Sequence, residues 1–109
     1  MKGAIEFLLR TDDARAWALR ELYVFKIIPI LNPDGVYRGH YRSDTLGQNL
    51  NRCYDAPDAV RQPVIDVCRR LLMHYAQEDR LGFYIDLHGH VNKRGCFAYG
   101  NALEVRAWI

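Results

Sequence analysis

The sequence of 109 residues contains no apolar stretch that approaches the roughly 20 consecutive residues needed to cross a bilayer as a helix. Its first apolar run, Ala4 to Leu9, is short and is interrupted by Glu6. A run of this kind is neither a membrane anchor nor the apolar region of a secretory signal. The sequence therefore predicts a protein that has no membrane partner and is not secreted.

Cysteine is scarce, and the three cysteines are widely separated. Cys53, Cys68 and Cys96 include no close pair of the kind that holds a structural zinc ion or forms a redox disulfide. Secreted small domains usually carry an even number of cysteines in disulfides, whereas thiols in the cytosol stay reduced. We therefore expect free thiols and a cytoplasmic location.

Lysine is also scarce, since only three lysines accompany twelve arginines, and the net charge is only +2. This charge, without a dense basic stripe or aromatic stacking residues, argues against nucleic acid as a partner. Arginine differs from lysine in having a planar fork of donors that can hold a carboxylate through two hydrogen bonds. The surplus of arginine is compatible with acidic groups as ligands.

The remaining composition is that of a globular protein, with 50% hydrophobic and 26% charged residues. A chain of this length corresponds to one domain, or to a piece of one, with a single core. We therefore treat residues 1–109 as belonging to one domain.

Two segments have the spacing of amphipathic helices. Thr11, Asp12 and Asp13 have side chains that can cap a helix in which Ala14, Trp17, Ala18 and Leu22 share one face. Pro63 can open a second helix at its first turn. The stripe predicted for this second helix consists of Val64, Val67, Cys68, Leu71, Leu72 and Tyr75.

Two other segments, Val24 to Ile30 and Phe83 to Leu87, are nearly continuous apolar runs rich in β-branched and aromatic residues. Such runs are typical of strands buried on both faces, although Pro29 weakens the end of the first. A third, short strand is expected from Cys96 to Tyr99. The order of these elements predicts an α/β fold with a mixed, mostly parallel sheet flanked by helices.

A long polar segment separates Leu31 from Pro57, and segments of this length in compact domains tend to be functional. In it, Asn51 and Arg52 place an amide beside a guanidinium, which together can hold a carboxylate. The alternative is that Arg52 forms an ordinary ion pair with Asp55 or Asp58. Arg42 adds positive charge to the same segment.

His88 follows the second predicted strand directly, at the sheet edge where ligands collect. Neutral imidazole is a common zinc ligand, but a histidine at the end of a strand is also a common structural residue. Asp86 can be a metal ligand or the group that orients an imidazole, and the alternative is a strand-end carboxylate that accepts hydrogen bonds from backbone amides. His74 and Glu78 lie one helical turn apart, which predicts a surface pair.

Taken together in order, these motifs resemble the zinc carboxypeptidases of the cytosolic carboxypeptidase family, most of all the branch that removes branch-point glutamates from tubulin. The resemblance covers nearly the whole chain. It rests on Phe25-Lys26-Ile27-Ile28-Pro29-Ile30-Leu31-Asn32-Pro33-Asp34-Gly35-Val36, Arg38-Gly39-His40-Tyr41-Arg42, Gly47, Asn49-Leu50-Asn51-Arg52, Tyr84-Ile85-Asp86-Leu87-His88-Gly89-His90, Lys93-Arg94-Gly95-Cys96-Phe97 and Tyr99-Gly100-Asn101.

The resemblance implies a role for each matching residue. His88 matches a zinc ligand, and Asn51 and Arg52 match the residues that hold the terminal carboxylate of the substrate. Arg42 matches the arginine that stabilises the oxyanion while water attacks the scissile carbonyl. The implied cofactor is one zinc ion, and the implied partners are glutamate-rich protein tails such as those of tubulin.

The sequence departs from the family pattern in two places. No histidine is followed by glutamate three residues later, so the His-x-x-Glu motif that supplies two further zinc ligands is absent. No residue matches the general-base glutamate that the family carries well beyond His88. We therefore expect residues 1–109 to be an internal fragment of one catalytic domain, inactive by itself, with weak zinc binding that isothermal titration can measure. The alternative is a non-catalytic α/β module that binds acidic C-terminal peptides.

Overall fold

The computed structural model describes residues 1–100, and these contain four α-helices and one short 3₁₀ turn. In chain order they are α1 (Lys2–Leu8), α2 (Ala14–Leu22), α3 (Pro33–Tyr37), the 3₁₀ turn (Leu50–Arg52) and α4 (Pro63–Gln77).

The first two helices pack against each other, and α2 begins where the sequence predicts. Asp13 is its N-cap, because one carboxylate oxygen accepts a hydrogen bond of 3.0 Å from the backbone N–H of Arg15. The Arg15 guanidinium, 2.8 Å from the same carboxylate, holds the pKa of Asp13 well below its usual range. Arg20 on α2 donates to the backbone carbonyls of Leu8 and Arg10, which closes the end of α1.

The segment Asn32-Pro33-Asp34-Gly35 caps and begins α3. Asn32 caps this helix by accepting a hydrogen bond of 3.0 Å from the N–H of Gly35. Pro33 occupies the first helical position, where its missing N–H costs nothing. The amide group of Asn32 also donates to the carbonyl of Ser43 at 3.0 Å. One side chain therefore fixes both α3 and the loop that follows it.

The longest helix, α4, begins at Pro63 as predicted, but its buried face is only partly the predicted stripe. Ile65 and Cys68 are buried, with 1% and 3% of their surfaces exposed. Val67, assigned to the stripe, is 63% exposed. The buried face of α4 is therefore rotated relative to the predicted stripe. It is centred on Ile65 and Cys68, which are three residues apart and lie on the same side of the helix.

The predicted α/β fold with its mixed, mostly parallel sheet is wrong for the part of the chain that the structure describes, because residues 1–100 contain helices and no strand. The runs 24–30, 83–87 and 96–99 have no backbone hydrogen bonds to another segment within those residues. A strand exists only through such bonds. The radius of gyration of 16.8 Å exceeds the about 13 Å expected of a compact domain of this length. The apolar runs 24–30 and 83–87, predicted as buried strands, are exposed.

Gly35 is the position where the packing of α3 is tightest. A Cβ atom there would overlap the side-chain amide of Asn32 and lie 2.5 Å from the carbonyl oxygen of Ser43. We expect Gly35→Ala to lower the free energy of unfolding by about 1–3 kcal/mol, the usual cost of overpacking. Urea unfolding followed by circular dichroism measures this.

The matched control for this substitution is Gly3→Ala in α1. No atom lies within 4 Å of a Cβ built at Gly3. Alanine is the better helix former by about 1 kcal/mol, so stability should rise or stay level. A loss in Gly3→Ala as large as that in Gly35→Ala would show that the contact with Ser43 is not the cause of the effect at Gly35.

Candidate functional site

The loop that carries Arg42 is organised by Asp44, a buried carboxylate that is 8% exposed. Its Oδ1 accepts hydrogen bonds from the N–H of Leu46 at 2.9 Å and from the N–H of Gln48 at 2.7 Å. The Asp44 N–H donates to the Gln48 carbonyl at 2.9 Å, and Gly47 makes the turn between them with φ 77°. These bonds close a small ring of backbone beside Arg42.

The same loop is tied to α4 through two glutamines. Gln62, the residue before α4, is 7% exposed and donates from its side-chain amide to the side-chain oxygen of Gln48. Its own oxygen accepts from the N–H of Asp58 at 2.8 Å. The amides of Arg61 and Val60 in turn donate to Asp58 and lower the pKa of this carboxyl group. The loop is therefore held from both sides, by Asn32 and by Gln62.

Arg42 projects from this loop into a cleft that it shares with His88. The Arg42 guanidinium lies 5.0 Å from the centre of the Tyr41 ring, within the range of a cation–π contact. The cleft has a volume of about 430 Å³. It is lined by Tyr41, Arg42, His88, Gly89, His90 and Val91.

His88 is exposed in this cleft, and a carboxylate lies beside its ring. Oδ2 of Asp86 lies 3.4 Å from Nδ1 of His88. This leaves Nε2 as the ring nitrogen available to a metal, with Asp86 in the supporting role that carboxylates have beside ligating histidines. Nδ1 of His90 instead accepts from the N–H of Asn92 at 3.2 Å, and its ring packs on Phe97.

Asn51 and Arg52 lie on the 3₁₀ turn and are both exposed. Asn49 caps the turn by accepting from the Asn51 N–H at 3.2 Å. The Arg52 guanidinium donates to the Asn51 carbonyl at 3.2 Å. Within residues 1–100 it forms no ion pair with Asp55 or Asp58, so its remaining donors face solvent.

The structure thus brings Arg42 and His88 into one cleft and leaves Asn51 and Arg52 outside the residues that line it. Over the described part of the chain, no three His, Cys, Asp or Glu side chains come close enough to hold a metal ion. His74 and Glu78 lie 3.6 Å apart as an exposed pair on α4. In residues 1–100, no helix is both long and apolar enough to cross a membrane.

Sequence reasoning missed Tyr41, Asp44 and the tyrosine pair Tyr54 and Tyr84. Asp44 had a local signal, because aspartate followed by a short turn with glycine is typical of a side chain that binds the backbone two residues on. The hydroxyl groups of Tyr54 and Tyr84 lie 3.0 Å apart. Thirty residues separate them in sequence, and no local pattern predicts such a contact.

Comparison with known proteins gives a consistent result across nearly the whole chain. A family described as zinc carboxypeptidase matches residues 2–102. Cytosolic carboxypeptidase 6 of Caenorhabditis elegans is 47% identical over 103 residues, which is 93% of this chain and 22% of that protein. Cytosolic carboxypeptidase-like protein 5 of Homo sapiens is 54% identical over 187 residues, covering 94% of this chain and 21% of that protein.

A third relative, Cytosolic carboxypeptidase 1 of Homo sapiens, is 40% identical over 109 residues, which is 99% of this chain and 9% of that protein. The chain therefore spans about a fifth or less of the length of these curated relatives.

Proposed function

The chain belongs to the zinc carboxypeptidase family, and from this we propose that it serves in the hydrolytic removal of C-terminal or branch-point glutamates from acidic protein tails such as those of tubulin. The observation that carries the proposal is the shared cleft of Arg42 and His88. In a metal-dependent peptidase, a metal ion that activates water and a cation that stabilises the developing oxyanion act on the same carbonyl, so a cation and a potential metal ligand on one cleft support the proposal. The relatives bear the name cytosolic, and we propose the cytoplasm as the location.

In this proposal, Asn51 and Arg52 bind the terminal carboxylate of the substrate. The Arg52 fork is exposed and, among residues 1–100, engages only the Asn51 carbonyl, so its other donors are available there for a carboxylate. A planar guanidinium can form two parallel bonds to a carboxylate, and the adjacent amide adds a third donor. This arrangement selects the end of a chain, because an internal peptide bond offers no charged acceptor.

Arg42 is proposed to stabilise the negative charge that develops on the scissile carbonyl oxygen. The bonds of Asp44 shape the loop that carries Arg42, and the Tyr41 ring contacts its guanidinium before substrate arrives. A donor held in advance at the place where charge develops does not have to reorganise during the reaction. The arginine therefore contributes more to the transition state than to the binding of the substrate.

His88 fits a zinc ligand in type and in setting, since Asp86 occupies the Nδ1 side of the ring. A catalytic zinc ion normally has three protein ligands, and the described residues supply one. When bound, zinc would polarise the carbonyl and activate water. The chain's own contribution to the proposed reaction is therefore one ligand, the oxyanion cation and the carboxylate clamp, defined as Asn51 and Arg52.

A chimeric enzyme, called the exchange enzyme below, tests this proposal. The sequence of this chain replaces the matching region of Cytosolic carboxypeptidase 6 of Caenorhabditis elegans, which aligns over 103 residues. Zinc is then added. We expect the exchange enzyme to release glutamate from peptides that end in glutamate and to leave their C-terminally amidated forms intact. Mass spectrometry of the products measures both. Equal cleavage of peptides ending in lysine would exclude the proposed substrate class.

The carboxylate clamp predicts a specific kinetic effect in the exchange enzyme. Arg52→Ala should raise KM by about tenfold or more, because charge-assisted hydrogen bonds contribute about 1.5–3 kcal/mol. Arg52→Lys should recover part of this loss, since lysine keeps the charge without the fork. Arg69→Ala, at an exposed arginine on α4, is the matched control. An unchanged KM in Arg52→Ala would remove Arg52 from the clamp.

A further inference from the structure

The segment from residue 81 to residue 100 carries His88 but is attached loosely to the rest of the described chain. Its side chains are all exposed. Among residues 1–100, one hydrogen bond joins it to the preceding part, between the hydroxyl groups of Tyr84 and Tyr54 at 3.0 Å. The two rings lie 6.5 Å apart at an angle of 58°.

The place of this bond in the sequence is informative. Tyr54 lies two residues after Arg52 of the carboxylate clamp, and Tyr84 lies four residues before His88. We propose that Tyr54 and Tyr84 are a positioning pair. Their hydrogen bond fixes the separation between segment 81–100, which carries His88, and the carboxylate clamp. The inference rests on the proposed function, because it concerns the separation between two groups that would bind the same substrate.

The second contact of the segment cannot set this separation equally well. The rings of Phe83 and Tyr23 lie 6.4 Å apart, edge to face. Contacts of this type have a broad energy minimum and tolerate sliding, whereas a hydrogen bond fixes distance and angle. The Tyr23 contact also leads toward α2 and not toward the 3₁₀ turn.

The chemistry of the pair favours a persistent bond. Partial burial raises the pKa of both tyrosines, and the hydrogen bond to Tyr54 raises the pKa of Tyr84 further. The nearby charge of Asp86 acts in the same direction. Both hydroxyl groups therefore remain protonated at neutral pH, and one of them always has a proton to donate to the other.

The test uses the full 109-residue chain and two probes. The first is triglutamate with a free C-terminal carboxylate, which offers the carboxylate clamp the group that it is proposed to bind. The second is zinc ion alone, which contacts the His88 side. Nuclear magnetic resonance titration measures both affinities in Tyr54→Phe, Tyr84→Phe, the double variant and Tyr99→Phe. Tyr99→Phe is the control because it removes a hydroxyl from the same segment outside the pair.

We expect each single variant to weaken triglutamate binding by about threefold to tenfold, the usual effect of one hydrogen bond. The double variant should weaken it no further than either single variant, because the two substitutions remove the same bond. Zinc affinity and the Tyr99→Phe control should be unchanged. Additive losses, unchanged triglutamate affinity, or a parallel loss of zinc affinity would each overturn the positioning role.

The experiment distinguishes failure of the positioning pair from failure of the proposed function. If the unaltered chain does not bind triglutamate, the carboxylate clamp is wrong in this chain. The positioning pair is then judged by the urea midpoints of the same variants, which should also be non-additive. Additive midpoints would show that the two hydroxyl groups act independently, and the pair would be rejected whatever the ligand.

Discussion

Replacing His88 by alanine in the exchange enzyme should lower the rate of glutamate release by at least about a hundredfold. Loss of even a residue that supports a metal ligand typically costs 10- to 100-fold, and loss of a ligand itself should cost at least as much. The zinc site of such enzymes normally has three protein ligands, so none is redundant. Rates of release and the zinc content of the purified variant are the two measurements.

His74→Ala provides the matched control for this substitution. His74 is also exposed and also lies near a carboxylate, with Glu78 at 3.6 Å, but it is on α4 outside the cleft. Its removal should leave rate and zinc content unchanged. A His88→Ala variant that retains full zinc content and full activity would show that His88 is not a metal ligand.

The second large effect concerns stability, and its site is Ile65. In residues 1–100, the buried hydrophobic residues are Ala16, Leu50, Ile65 and Cys68, and Ile65 is the largest fully buried side chain among them. Ile65→Ala should lower the free energy of unfolding by about 2–5 kcal/mol, through lost apolar burial and the cavity left behind. Proteins have only about 5–15 kcal/mol in total, so the variant should lose much of its resistance to urea.

Val67→Ala isolates the contribution of burial. Val67 is β-branched like Ile65 and lies on the same helix, but it is 63% exposed. The change in helix propensity is similar in the two variants, whereas only one of them removes a packed side chain. We expect Val67→Ala to change stability by no more than about 0.5 kcal/mol, as surface substitutions do. Equal losses would mean that the face of α4 assigned to the core is incorrect.

The helices show which parts of the fold a sequence can predict. The starts of α2 and α4 were predictable because each depends on residues next to the helix, a capping aspartate before α2 and a proline in the first turn of α4. The strand predictions were wrong for residues 1–100, because strand pairing depends on distant partners that periodicity does not reveal. The run at 24–30 has the composition of a buried strand, yet within the described residues it is an exposed segment without ladder bonds.

The candidate site also has features that the sequence predicts and features that it does not. The types and order of Arg42, Asn51, Arg52 and His88 were visible in the sequence, and the family to which they pointed is confirmed by comparison. Their separations were not visible. Arg42 and His88 line one cleft, and the loop that carries Arg42 is shaped by buried Asp44, an arrangement that comes from folding and not from spacing.

The contact between the Tyr41 aromatic ring and the Arg42 guanidinium affects the entropy of substrate binding. A free arginine side chain gives up about 1.5–2 kcal/mol of rotamer freedom when it is immobilised. The guanidinium that rests 5.0 Å from the centre of the Tyr41 ring has already lost part of that freedom before any substrate arrives. Less disorder remains to be removed on binding, so more of the attraction between the arginine and an anionic oxygen is available as affinity or rate.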